Sequence, residues 1–579
     1  MTVAEDTPRP HAFDASRRLT GANRYCAGTA VVLEPLGPAA ADGAAHGRWI
    51  AQVLSMCGCL GWPEPLPRVH AHGAGVALAF AAPGQTLFTA TEVNEWAWER
   101  AAAGHALHTG YTLAQPATED AVAHFKARAA AEVSRPLARL VAAAQQRGLP
   151  WVEDDDTLSI GEGAGCVVYV RAALPLAMDL PWPRLHGVPK VLITGSNGKT
   201  TTTRLLAAMA AAAGHTPGLC STEGVVVDGV VTHAGDYAGP AGARAVLRHP
   251  AVTAALLETA RGGILRRGLA LQRANVALIT NVSADHLGEY GIDSVADIAQ
   301  VKLVLAHAVS AQGWLVLNGG DEVLLRAAVQ VPHAVAALWA LFARDADASI
   351  LPLLRQRGGS TCGARAGRLV LSLHGDEHDL GVLAEMPLTL GGLADYNVEN
   401  LAAAALAAAL LDWPLDKVRG VLHAFGTLPQ HNPGRLQRHL HRGATVLIDY
   451  AHNPAGLAQL LAVARSLKPR RLGLLLGQAG DRSDRALAEL ARVAAGFDPQ
   501  RVVIKELPLM LRGRAPGEVP AHIERDLREA GLAADRVLHE SDEEAAARAL
   551  LAWAEPGDVI VLPVHTSAVR ERLTGLLSA

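Results

Sequence analysis

The sequence predicts an α/β protein: two series of parallel strands and helices, preceded by a small α+β region. Three observations carry this. From Pro189 onward, short apolar runs alternate with helical stretches, at Val191–Ile193, Ala254–Leu257, Val276–Thr280 and Leu315–Leu317, a pattern that implies a parallel sheet with helices on both faces. A second series begins near residue 436, with strand candidates at Thr445–Ile448, Leu472–Leu476, Val502–Ile504 and Val559–Leu562 and helices such as Ser483–Ala495 between them. The first of these runs enters a glycine-containing loop that opens directly into an Ala/Leu-rich helix.

The elements follow in chain order. Residues 1–130 read as the small α+β region, with a strand candidate at Thr29–Leu33 and a helix at Glu92–Ala103 whose tryptophans suit a core. Residues 131–185 hold an Ala/Arg-rich helix, a turn-like run at Glu153–Thr157 and the Pro-rich stretch Pro175–Pro183, which reads as a linker. Residues 186–430 and 431–579 carry the two strand–helix series. At roughly 150 residues per domain, the 579 residues suggest about four domains.

Composition excludes several function classes. A net charge of −4, without a long basic run, gives no footprint for a nucleic-acid partner. Met1–Arg18 lacks the apolar core of a secretory signal. The most apolar helical stretch, Leu401–Leu411, is too short to span a bilayer and meets Asp412. The expectation is a cytoplasmic protein without a membrane segment. Six scattered cysteines include one close pair, Cys57 and Cys59, with no second pair at zinc-site spacing, so buried reduced thiols are expected.

The strongest chemical signal is Thr194-Gly-Ser-Asn-Gly-Lys-Thr200. Gly195 and Gly198 let backbone N–H groups approach phosphate oxygens, and the helix N-terminus adds positive partial charge. Lys199 suits the β- and γ-phosphates and Thr200 suits Mg²⁺. The loop is shorter than G-x-x-x-x-G-K-[ST], because Ile193 stands where that motif has glycine. Two later strand ends fit the same site. Ala254–Leu257 runs into Glu258, and Thr280-Asn281 is followed by Asp285-His286. In an open parallel sheet, residues just past strand C-termini face the ligand crevice, so Glu258 and His286 are candidate Mg²⁺ ligands. A second glycine loop, Gly161-Glu-Gly-Ala-Gly165, imitates a nucleotide loop but soon meets the Pro-rich stretch, and a structural role is expected for it.

The order of these motifs, with Lys302 in a helix, Tyr396–Asn400, Asn432–Arg435 and Asp449–Pro454, resembles the Mur ligase family. The resemblance is closer to the Mur-ligase half of the cyanophycin synthetases, on Leu257–Leu265, Gly480–Arg482, and Arg512–Arg514 with Pro516–Glu518; it spans about residues 186–579. It implies a Mur-ligase central phosphate-loop domain and a Rossmann-like α/β C-terminal domain. It further implies an ATP site formed by Thr194, Gly195, Asn197, Gly198, Lys199, Thr200 and Thr201, with Asn397 and Asn400 on the adenine side and Arg435 and Asp449 closing over the nucleotide. Metal falls to Thr200, Glu258 and His286, and Lys302 stands where many Mur ligases carry a carbamoylated lysine. Substrate falls to Arg261, His452, Asn453, Arg512, Arg514 and Glu518.

The N-terminal segments Arg18–Asn23 and Glu92–Trp96 resemble the cyanophycin-synthetase N-terminal domain, and Gln145–Asp154 resembles the entry to its ATP-grasp domain. Too few residues follow for an ATP-grasp fold, so that domain is expected to be missing and residues 131–185 to be its remnant. The implied activity is ATP-dependent joining of a carboxylate to an amine on an amino acid or short peptide, by a homo-oligomer. Glu506–Met510 holds one acid where the family usually has a cluster, so the expected amine substrate is other than arginine; Gly320 stands where an acid is usual, so a nucleotide or substrate contact is expected to differ there. Two further readings stand beside this one: a non-catalytic ATP-binding partner of a full-length cyanophycin synthetase, and a folylpolyglutamate-type ligase.

Overall fold

The computed structural model describes residues 13–102, 118–285, 287–348 and 350–578. Its centre is an eleven-stranded sheet. Seven strands of its middle run parallel: Pro217–Ser221, Ala254–Glu258, Lys190–Thr194, Ala274–Ile279, Val309–Asn318, Leu338–Asp345 and Thr361–Arg365, in that spatial order. Antiparallel extensions flank them, Gly224–Val227 and Val230–Ala234 on one side and Arg368–Leu373 and Asp376–Val382 on the other. The apolar runs read from sequence lie in the parallel middle, where both faces are covered and strands need no alternation. Of the extensions, Val230–Ala234 is exposed along its whole length, so no buried face marks it in the sequence.

Helices cover both faces of this sheet. The helix Asp395–Ala409 lies on one face, packed against Lys199–Ala212, and its alanines and leucines are buried. Alanine allows this close approach because it presents only a methyl group.

The C-terminal part forms a second sheet in the order Gln437–His441, Ala444–Asp449, Val559–Pro563, Leu472–Leu476, Arg501–Lys505, Val537–Glu540, parallel except at its first pair. Two hydrophobic clusters, one on Leu447, Leu474 and Val561 and the other on Val446, Leu475 and Ile560, occupy its two faces. The N-terminal part is an antiparallel four-stranded sheet, in the order Phe13–Leu19, Ala30–Pro35, Gly75–Ala81, Arg68–His72, with the helices Gly43–Leu60 and Leu87–Ala101 packed together around Trp49 and Trp96.

Between these parts the chain is more structured than its turn-like and Pro-rich runs suggest. The helix Arg135–Gln146 packs with a three-stranded sheet, Trp151–Glu153, Thr157–Ile160 and Val167–Val170, around a small core of Leu137, Leu140, Leu158, Ile160, Leu180 and Leu185. The 175–183 stretch runs through two short 3₁₀ turns, Ala177–Asp179 and Trp182–Arg184, tied by Trp182 Nε1 donating to the Ala177 carbonyl.

The cysteines are all free thiols, but only Cys57, Cys220 and Cys362 are buried; Cys59 is exposed. Cys57 and Cys59 are two apart on a helix and therefore point to different sides. Among the described residues no helix is long and apolar enough to cross a membrane.

Candidate functional site

Strand register sets the site. Glu258 pairs opposite Ile193 and Ile279 opposite Thr194, so three parallel strands end at one level. The loop 195–198 leaves the central one. Its glycines are required by close contact: a Cβ on Gly195 would lie 1.7 Å from Thr280 Oγ1, and one on Gly198 would lie 2.2 Å from Asn400 Oδ1. The loop is then held from the side. Thr280 Oγ1 donates to the Asn197 carbonyl at 2.6 Å, Asn281 exchanges bonds with the Asn197 backbone at 2.9 and 3.1 Å, and Ser283 N donates to Ser196 Oγ at 2.9 Å. The helix Lys199–Ala212 starts at Gly198, which offers no side-chain cap. Its first N–H groups are left for a ligand, with the positive end of the helix dipole behind them.

The loop faces a cleft of about 1280 Å³. Lys199 Nζ folds back onto the Gly195 and Ser196 carbonyls, at 3.0 and 3.1 Å. Thr200 Oγ1 donates to Glu258 Oε2 at 2.9 Å. Glu258 is 1% exposed and its second oxygen, Oε1, has no partner. Burial raises its pKa, opposed by the charge of Lys199, the Thr200 hydrogen bond and the charge of Arg435. A buried carboxylate oxygen without a donor, beside a hydroxyl on the same floor, fits an oxygen-seeking divalent cation. His286, the third expected metal ligand, lies outside the described residues. Among the described residues no cluster of three or more His, Cys, Asp or Glu forms a metal cage.

Lys302, the last residue of the helix Val295–Lys302, reaches the same cleft from beneath and is 3% exposed. Burial drives its pKa well below that of a free lysine, and Lys199 nearby adds to the fall. Arg261 lines the cleft and pairs with Glu289.

The C-terminal lobe touches the phosphate loop itself. Asn453 Nδ2 donates to Asn197 Oδ1 at 3.0 Å, and Asn432 Nδ2 donates to Thr201 Oγ1 at 3.2 Å. Arg435 Nη2 stands 3.5 Å from Thr200 Oγ1, its guanidinium over the Tyr450 ring. Arg482 Nη1 donates to Asp285 Oδ1 at 2.7 Å, and His452 Nε2 lies 3.7 Å from Asp285 Oδ2. Burial lowers the His452 pKa, leaving it neutral at neutral pH.

The expected site residues divide as follows. Gly195, Asn197, Gly198, Lys199, Thr200 and Thr201 line the cleft from the loop; Glu258, Arg261 and Lys302 line its floor; Asn397, Asn400, Arg435, Asp449, His452 and Arg512 line the rest. Thr194 is fully buried beneath the loop, its carbonyl accepting from Thr280 N. Asn453 acts at the seam. Asp449 accepts the backbone N–H groups of Leu436 and Ala451, both at 2.7 Å, so it fixes the chain on either side of Arg435 and Tyr450. Asn397 bonds Asn400 and the Leu388 carbonyl, an internal brace. Arg514 and Glu518 do not line the cleft; Arg514 bonds Glu518, Asp484 and the Gly480 and Arg482 carbonyls, bracing the loop that carries Arg482. The sole acid of the 506–510 segment, Glu506, accepts from Gly517 N. Sequence reasoning missed Glu223, Arg204 and Arg570, which meet across the seam; they belong to no consecutive motif.

A strand–loop–helix turn at the carboxyl edge of a parallel sheet, covered by a second α/β lobe, defines a two-lobed α/β protein with its cleft where such sheets place ligands. The Mur ligase middle domain matches residues 193–408, and the Mur ligase glutamate ligase domain matches residues 434–563. Together they cover more than half of the chain, which belongs to the Mur ligase family. It is 35% identical over 451 residues to a cyanophycin synthetase of Synechocystis sp., covering 73% of this chain and 50% of that one. It is 37% identical over 375 residues to that of Crocosphaera subtropica, covering 64% and 41%. The chain thus spans about half the length, or less, of these relatives. It is 29% identical over 395 residues to a UDP-N-acetylmuramoyl-L-alanyl-D-glutamate–2,6-diaminopimelate ligase of Corynebacterium efficiens, covering 66% and 70%. Among solved structures, E. coli FolC in complex with ADP, without folate substrate, matches at 17% identity with a TM-score of 0.47, over 68% of this chain and 90% of that one.

Proposed function

We propose that the chain is an ATP-dependent, ADP-forming carboxylate–amine ligase acting on an amino acid or short peptide. One observation carries the reading: the unpartnered Glu258 oxygen lies beside Thr200, at the start of an uncapped helix, where the second lobe's Arg435 reaches the same threonine.

A carboxylate is a poor electrophile, and transfer of the γ-phosphoryl group to it supplies a leaving group. The carboxylate oxygen forms a bond to phosphorus as the bond to ADP breaks; the amine then attacks the acyl carbon, phosphate leaves, and the amine gives up its proton. In this reading, the N–H groups at the start of the helix cradle the phosphates. Lys199 turns from the loop carbonyls toward the γ-phosphate, and Arg435 adds a second positive charge as negative charge spreads in the transition state. Mg²⁺ held by Thr200 and Glu258 would supply further charge neutralisation. Bonds from Asn453 and Asn432 to the loop close the second lobe over this chemistry and keep water from the acyl phosphate. Burial pushes the Lys302 pKa well below that of a free lysine, toward the neutral form that reacts with CO₂, which supports its carbamoylation.

The test is phosphate release from ATP and Mg²⁺ with panels of carboxylates and amines. Stimulation by a matched pair, with amide product, is expected. ATP binding without stimulation by any pair would overturn the ligase and favour the non-catalytic partner of a cyanophycin synthetase.

A further inference from the structure

Glu223 lies in the turn between the strands Pro217–Ser221 and Gly224–Val227, on the rim of the phosphate-loop half. Three guanidinium groups converge on it from two lobes. Arg204, on the phosphate-loop helix, donates to Oε2 at 2.5 Å. Arg570, on the C-terminal helix Ser567–Ser578, donates to Oε1 at 3.0 Å. Arg435 stands 3.8 Å from the same Oε1 while reaching Thr200. The four side chains are at most 15% exposed.

The cluster is packed as well as charged. The Tyr450 ring carries Arg435 at 4.3 Å and Arg570 at 5.3 Å from its centroid. Gly434 has φ +62°, and a Cβ there would lie 2.5 Å from Arg570 Cδ and Nε, so the chain entering Arg435 is pressed onto Arg570. Three cations face Glu223; Glu258 and Asp449 also act on Arg435, and Glu543 on Arg570. Arg435 Nη1 is buried without a partner. An incoming anion therefore has a cation to draw on, and Glu223 holds that cation until it arrives.

We propose that Glu223 is a positioning residue: it anchors the C-terminal lobe through Arg570 and holds Arg435 beside Thr200, ready to pass to a phosphoryl group. The part concerning Arg435 rests on the ATP reading above; the anchoring part does not. The experiment combines small-angle scattering of the full chain, thermal melting, and calorimetric titration with Mg²⁺ and a non-hydrolysable ATP analogue. Glu223→Gln and Arg570→Gln should each expand the ligand-free particle equally, the double variant no further; Arg570→Gln should leave the main melting transition in place, whereas Glu223→Gln, which also strips Arg204 of its partner, should lower it. Glu223→Asp, which keeps the charge, should remain compact. Analogue affinity should fall about tenfold in Glu223→Gln and not fall further when Arg435→Gln is added. A Glu223→Gln particle as compact as wild type, or additive expansion in the double variant, overturns the anchoring. Unchanged affinity in Glu223→Gln, with wild type binding the analogue, overturns the positioning of Arg435. Failure of wild type to bind the analogue at all would instead count against the ATP reading.

Discussion

The strand Lys190–Thr194 carries a glycine loop at each end, and the two differ in what their backbone donors do. At its amino end packs Gly161–Gly165. There the N–H groups are consumed inside the protein: Gly161 by the Pro150 carbonyl, Glu162 by His186, Ala164 by Val252 and Gly165 by Glu162. A Cβ on Gly161 would lie 1.9 Å from the Gly165 carbonyl oxygen, and one on Gly163 would lie 2.1 Å from that of Val252. Glu162 forms a buried ion pair with Lys190. At the carboxyl end, loop 195–198 is clamped just as tightly from the side, yet the helix that follows opens uncapped into the cleft. Glycine content does not distinguish a phosphate loop from a packing loop. The fate of the N–H groups does.

Substitutions at the two ends should therefore fail differently. The largest effect is expected for Lys199→Ala, which should lower ATP-dependent turnover by on the order of 10²–10³-fold while leaving the melting temperature near wild type. Glu162→Gln should do the reverse. It leaves the Lys190 ammonium buried without its counter-charge, at a cost of about 3–5 kcal/mol in denaturant unfolding, with nucleotide titration unchanged in stoichiometry. Gly163→Ala, at φ +54° and against the Val252 carbonyl, should lose about 1–3 kcal/mol of stability and retain nucleotide binding; Gly195→Ala, driven into Thr280, should lose binding. Reversal of either pattern would break the comparison.

A stability effect of opposite sign is expected for Lys302→Met. The folded-state pKa of Lys302 lies well below its unfolded value, so the unfolded chain binds the extra proton and native stability rises with pH between the two values. The methionine variant should melt above wild type at neutral pH, with the gap closing as the pH nears about 10, and turnover should fall. NMR with isotope-labelled bicarbonate would show whether a carbamate forms on wild type and is absent from the variant.

The same contrast explains what the sequence made legible. The phosphate loop, Glu258 and Thr280-Asn281 are read from consecutive residues at the ends of apolar runs, and parallel strands that must be covered on both faces announce themselves by composition. The second loop was separable only because a Pro-rich stretch follows it; the bonds that fill it come from Pro150, His186 and Val252, which no local pattern links. The outermost strand on one side of the central sheet, Val230–Ala234, gave little signal, since it has no buried face. At the seam, motif order supplied Arg435, Asn453 and His452, but Arg570 meets the Arg204–Glu223 pair only because two lobes close, and each alone reads as a surface charge. Motif membership also does not reveal role: Asp449 and Arg514 sit within recognisable segments, yet the first fixes backbone beside Arg435 and the second braces the Arg482 loop.

The central claim is that loop 194–200 is the phosphate-binding loop of this chain and 161–165 is not. Calorimetric titration of the intact protein with ATP and Mg²⁺, for wild type, Lys199→Ala and Gly163→Ala in parallel, tests it most directly. The expected result is one site per chain in wild type and Gly163→Ala and no measurable site in Lys199→Ala. A site that survives Lys199→Ala at wild-type affinity, or a second site lost in Gly163→Ala, would contradict it.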